Sequence, residues 1–152
     1  MKQTAMTIAY PVGKNLYLNL TNRCPCACTF CIRTMGSSAY GSDPLWLEHE
    51  PSWEEIKAAL DAVDVCSYEE VVFCGFGEPT ERLELLCKTA AYLKEQGVRC
   101  IRLNTNGLSD LLHGRKTAQD LHGLVDIVSI SLNAGTEEEY QKVYHMMKAM
   151  NQ

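Results

Sequence analysis

The chain has 152 residues, 46% of them hydrophobic and 22% charged, which suits one compact domain over 1–152 and excludes a disordered tail or a fibrous repeat. A formal net charge of −5 argues against broad attraction to nucleic-acid phosphates or anionic lipid. No run approaches about 18 consecutive apolar residues, and the N-terminus reaches Tyr10-Pro11 without a secretory apolar block, so a cytoplasmic protein is expected.

The first strand is predicted over Asn15–Thr21, where Leu16, Leu18 and Leu20 alternate with Tyr17 and Asn19. A cysteine-rich segment follows it directly. Arg33–Pro51 reads as a long loop carrying Tyr40 and Trp46, suited to substrate contact or to surface packing. Ser52-Trp53-Glu54-Glu55 is a capping box that opens a helix with Ile56, Ala59, Leu60 and Val63 on one face. Val71–Cys74 reads as a buried parallel strand ended by Gly75-Phe76-Gly77-Glu78-Pro79. Thr80 is placed to cap the next helix, whose stripe is Leu83, Leu86, Cys87, Ala90 and Leu93. Val98–Leu103 is the third strand, broken by Asn104-Thr105-Asn106-Gly107, with short helical pieces near Asp110–Leu112 and Thr117–Leu121. Val125–Leu132 is the fourth strand, and Thr136–Glu139 opens a last helix with Tyr140, Val143, Tyr144 and Met147 on its apolar stripe.

Strand and helix alternate four times, which selects an α/β domain with a parallel sheet and right-handed crossovers. In such folds functional groups gather at the carboxyl edge of the sheet. The unusual motifs all fall at that edge, so four loops can face one ligand.

Eight cysteines need a reason, and Cys24, Cys26, Cys28 and Cys31 are close together while Cys66, Cys74, Cys87 and Cys100 are scattered. The scattered four are read as small buried apolar residues. No export signal accompanies a disulfide scaffold, so reduced thiols serving a metal are expected. Cys24, Cys28 and Cys31 are spaced Cys-x3-Cys-x2-Cys, which lets one loop hold an iron-sulfur cube through three thiolates and leaves one iron without a protein ligand. A structural metal site or redox-active thiols are the alternatives, and Cys26 is either a spare ligand or points away. His49, His113, His122 and His145 are isolated and complete no zinc pattern.

Cys24-Pro-Cys-Ala-Cys28-Thr-Phe30-Cys31 resembles the signature of the radical SAM superfamily. The resemblance implies a 4Fe-4S cluster on Cys24, Cys28 and Cys31 whose open iron is chelated by S-adenosylmethionine, with Phe30 near adenine. Gly75-Phe76-Gly77-Glu78-Pro79 is similar to the family's Gly-Gly-Glu-Pro segment, which implies that Gly75, Gly77 and Glu78 hold the methionine ammonium. Asn104 resembles a position facing the methionine end, and Ser131 and Asn133 resemble strand-four positions that contact the ribose hydroxyls and the carboxylate. The plainer alternatives are that Glu78 caps a helix and that Asn104–Asn106 forms only a turn. Within the superfamily, the segments around these motifs most resemble the small TatD-linked proteins.

The resemblance further implies a partial (βα) barrel with about four of the six expected βα units, a single core domain over 1–152 short at its C-terminus. The implied activity is enzymatic: an external one-electron reductant of flavodoxin or ferredoxin type, reductive cleavage of S-adenosylmethionine, and hydrogen abstraction from an unidentified substrate by the 5′-deoxyadenosyl radical. No protein acid or base is assigned. The alternative is a non-catalytic iron-sulfur or electron-transfer fragment that needs a completing chain or self-association. No nucleic-acid or membrane partner is expected.

Overall fold

The computed structural model describes residues 4–23, 44–131 and 135–139. Its centre is a five-stranded sheet in the order β1 (Ala9–Val12), β2 (Asn15–Leu18), β3 (Val71–Phe73), β4 (Ile101–Thr105) and β5 (Ile127–Ile130). β2 to β5 run parallel, as the alternation of elements predicts, and β1 pairs antiparallel with β2. The sheet is an open, partial (βα) barrel: β1 and β5 stay at opposite edges.

β1 was not foreseen from the sequence. Pro11 and the brevity of the segment hide its alternation, yet an edge strand tolerates a proline because one side of its backbone needs no ladder donor. Gly13 turns the hairpin at φ +57°, a conformation that costs glycine little.

Three helical connections cover one face. α1 (Trp53–Asp61) starts at the foreseen capping box, with Glu55 N donating to Ser52 Oγ and Ser52 N donating to Glu55 Oε1, both at 3.2 Å. α2 (Leu83–Glu95) follows β3, and two short helices, α3 (Ser109–His113) and α4 (Ala118–Leu121), follow β4. Ile56 and Leu60 of α1 and Leu86, Ala90 and Leu93 of α2 pack on Leu16, Leu18, Val71, Phe73, Ile101 and Leu103 from the sheet. Burying each large side chain of this set contributes about 1.5–3 kcal/mol. The second capping box also forms, with Glu139 N donating to Thr136 Oγ1 at 3.2 Å and Thr136 N donating to Glu139 Oε2 at 3.1 Å.

The parallel register puts the alternate residues on the other face. Leu18 pairs with Phe73, Phe73 with Leu103, and Asn104 with Ser129, so Asn19, Cys74, Asn104 and Ser129 form one row there. Arg102 lies one step nearer the amino end of the strands and joins them: its guanidinium donates to Glu70 in a bidentate pair at 2.9 and 3.0 Å and to Ser129 Oγ at 2.7 Å.

A second apolar cluster, Tyr10, Leu45, Trp46 and Phe76, lies on this same side. The end of the expected long loop is therefore packed structure. Leu45, Trp46 and Leu47 are buried, Trp46 forms a parallel bridge with Thr4, and the Trp46 and Phe76 rings meet edge to face at 5.1 Å. Surface packing of Trp46 is thus corrected to burial, and Tyr40 lies outside the described residues. Among the described residues no helix is long and apolar enough to cross a membrane.

Candidate cofactor site

The segment after β3 is wedged against the segment that enters the cysteine loop. A Cβ on Gly77 would stand 2.0 Å from the Thr21 carbonyl oxygen and 2.8 Å from that of Arg23, and Glu78 N donates to Arg23 O at 2.7 Å. A Cβ on Gly75 would meet Asn19 Oδ1 at 2.2 Å. Both glycines are required by close approach of the protein to itself.

Glu78 is 4% exposed and its carboxylate is richly satisfied. Oε1 accepts from Thr80 N at 3.3 Å, Thr80 Oγ1 at 2.8 Å and Thr105 Oγ1 at 2.5 Å, and Oε2 accepts from Asn106 N at 2.9 Å. This carboxylate caps the 3-10 turn Pro79–Arg82 and latches it to the end of β4. The expectation that Thr80 caps the following helix is corrected: Glu78 does the capping, Thr80 donates to it, and α2 begins at Leu83 without a side-chain cap. Nearby, burial pushes the Glu81 carboxyl above its usual value, with Arg23 and His113 opposing.

The Asn-Thr-Asn-Gly segment divides its labour. Asn106 Oδ1 accepts from Leu108 N at 2.9 Å and Thr105 Oγ1 from Gly107 N at 3.2 Å, which builds the turn. Asn104 takes no part in it. Its side chain meets the Cys74 thiol, which burial pushes above the usual cysteine range, and its Oδ1 is buried with no hydrogen-bond partner among the described residues. Such an orphan acceptor costs free energy unless something donates to it. Ser131, just past β5, is tied to the neighbouring strand through its N–H donating to Thr105 O at 3.0 Å.

The structure thus brings Gly75, Gly77, Glu78, Asn104 and Ser131 to one edge of the sheet. Cys24, Cys26, Cys28, Cys31, Phe30 and Asn133 lie outside the described residues. Three cysteines that follow Arg23 in the sequence, a Thr21–Arg23 segment fixed against Gly75–Glu78, and an orphan carbonyl oxygen on Asn104 at the end of β4 form a set that fits a cluster carrying a polar ligand.

Five side chains that the sequence did not single out organise the same edge. Asn19 Nδ2 donates to Leu45 O at 2.8 Å; Asn22 Nδ2 donates to Leu47 O at 2.8 Å, and its Oδ1 accepts from Leu47 N at 2.9 Å. Thr21 Oγ1 donates to Glu50 Oε1 at 2.8 Å and accepts from Arg23 N at 2.9 Å. Arg82 donates to Leu20 O at 3.0 Å and Pro51 O at 2.6 Å and pairs with Glu50 at 3.6 Å. The one available signal was the run of side-chain hydrogen-bonders Thr21-Asn22-Arg23 directly before Cys24.

The scattered cysteines need a correction as well. Cys66 is exposed, with Sγ 3.0 Å from Gln96 O, and Cys74, Cys87 and Cys100 are only partly buried. Their apolar neighbours in sequence overstated how deep they sit.

The family model described as the radical SAM superfamily matches residues 18–150. The chain is similar to the GTP 3',8-cyclase of Staphylococcus carnosus (strain TM300), at 30% identity over 145 residues. That match covers 94% of the chain and 40% of the relative, so the chain spans less than half of that protein's length. No solved structure gives a significant match.

Proposed function

Since the chain belongs to the radical SAM superfamily, whose members bind a 4Fe-4S cluster and S-adenosylmethionine, we propose that it is the core of an enzyme that cleaves S-adenosylmethionine reductively to initiate radical chemistry on a substrate. The cluster and S-adenosylmethionine, when bound, supply a 5′-deoxyadenosyl radical as hydrogen abstractor.

The observation that carries this reading is the seating of Gly75–Glu78 on Thr21–Arg23, which fixes the strand-three loop beside the entry to the cysteine loop. In this proposal Cys24, Cys28 and Cys31 hold the cluster and Phe30 lies at the adenine. Backbone carbonyls of the Gly75–Gly77 segment and the orphan Oδ1 of Asn104 accept from the ligand's ammonium. Glu78 acts chiefly by holding that loop, with one lone pair of Oε2 left beyond the donor Asn106. Ser131 and Asn133 serve the ribose and carboxylate end.

An external one-electron reductant of flavodoxin or ferredoxin type completes the proposal. The segments flanking the motifs support a place among the small TatD-linked proteins, and similarity to a GTP 3',8-cyclase makes GTP the first substrate to offer.

The test is anaerobic reconstitution with iron and sulfide, then a strong reductant and S-adenosylmethionine, with 5′-deoxyadenosine as the readout. Formation of that nucleoside, lost in Cys24→Ala, is the expected result. A filled cluster that yields none, with a spectrum unmoved by S-adenosylmethionine, overturns catalysis in favour of an electron-transfer role.

A further inference from the structure

Cys24, Cys26, Cys28 and Cys31 fall in the segment 24–43, and the described residues on either side of it are joined by side chains. On the entry side stand Asn19, Thr21 and Asn22; on the exit side stand Leu45, Leu47 and Glu50. Asn22 imitates a strand partner: its amide gives one hydrogen bond to the Leu47 backbone and receives another, at 2.8 and 2.9 Å. Thr21 is 1% exposed and bonds Glu50 on one side and the Arg23 amide on the other, one residue before Cys24.

We propose that Thr21 and Asn22 are positioning residues for the iron-sulfur cluster: they fasten the residues that follow the cysteine-bearing segment to those that precede it, so that the two ends of the segment are held together before metal binds. Bringing the ends of a flexible loop together costs conformational entropy. Where hydrogen bonds of the folded protein have already met that cost, ligand thiolates need not supply it on metal binding. The clasp is anchored from outside the loop, since Arg82 donates to both Leu20 O and Pro51 O, the two carbonyls that bracket it. Both sides of the clasp are packed into the interior, since Leu20 and Leu47 are buried.

This inference rests on the cluster reading above, and one experiment separates their failures. Wild-type protein, Asn22→Ala, Thr21→Val, Thr21→Ser and the core control Ile56→Val are reconstituted with iron and sulfide, and loss of the cluster's visible absorption to an excess chelator is timed. Far-UV circular dichroism and thermal melts are recorded on each. With one or two net hydrogen bonds removed, Asn22→Ala and Thr21→Val are expected to lose the cluster about tenfold faster than wild type. Thr21→Ser, which keeps the hydroxyl, retains it, and Ile56→Val, destabilised away from the clasp, does so too.

Loss at wild-type rate in both clasp variants overturns the inference. So does equal acceleration in Ile56→Val, which would reduce the effect to general stability. Failure of the wild type itself to take up iron and sulfide overturns the cluster reading, and the clasp with it. If Asn22→Ala does not fold, Thr21→Val against Thr21→Ser decides alone.

Discussion

Glu78, in the loop after β3, accepts a hydrogen bond from Thr105 at the end of β4 with 2.5 Å between the oxygens. A carboxylate buried at 4% exposure is tolerable because Thr80 and Asn106 donate to it as well, and it binds two neighbouring loops into one edge. Glu78→Gln turns one acceptor oxygen into a donor facing donors. A loss of about 2–3 kcal/mol is expected in a urea melt; unchanged stability would show that the latch contributes nothing.

Gly75 and Asn19 are coupled by space. An added methyl at Gly75 would reach 2.2 Å from Asn19 Oδ1, so Gly75→Ala is expected to destabilise by about 1–3 kcal/mol. Shortening the partner makes room: in an Asn19→Ala background the same substitution should cost at least about 1 kcal/mol less, read from a double-mutant cycle. Strict additivity would mean that the clash is relieved in some other way. Gly77→Ala has no such remedy, because it meets the Thr21 backbone.

The Arg102 guanidinium, bonded to both Glu70 oxygens, holds the Glu70 carboxyl below the ordinary carboxylate range. A group depressed in the folded state contributes stability that is fully present above the unfolded value of about 4.3 and is lost as pH falls through the folded value. The pair is partly exposed, so salt screens it. Wild-type protein should therefore lose stability more steeply than Glu70→Gln below about pH 4.3, with the gap narrowing in high salt. Parallel curves from denaturant melts across that range would count against the pair.

Cys66 is exposed, whereas Cys74 is partly buried and burial pushes its thiol up, with Asn104 opposing the shift and Glu78 adding to it. Alkylation by iodoacetamide near pH 8 under native conditions should mark Cys66 well before Cys74, as read by peptide mass spectrometry. Equal labelling would mean that the row Asn19, Cys74, Asn104 is open to solvent.

The parallel strands and their helices were legible because their signals are local: alternation at Leu16 and Leu18, an apolar run at Val71–Phe73, a capping box at Ser52. The cysteine spacing and the glycine segment pointed to the superfamily whose model matches residues 18–150. What escaped was the set of contacts between residues distant in sequence. Nothing local says that Asn22 pairs with Leu47 or that Arg82 reaches Leu20, since each depends on which strand ends become neighbours; the capping role of Glu78, by contrast, was one of the two readings open in the sequence. The hairpin strand was hidden by Pro11, a residue that argues against a central strand and says nothing against an edge.

That strand gives the sheet a direction of growth. With β1 laid antiparallel along β2, the early flank is occupied by a ribbon of the opposite sense, and any additional parallel unit must join beside β5. Of the two edges of the described sheet, only that of β5 therefore offers a parallel strand of the βα series to a further unit.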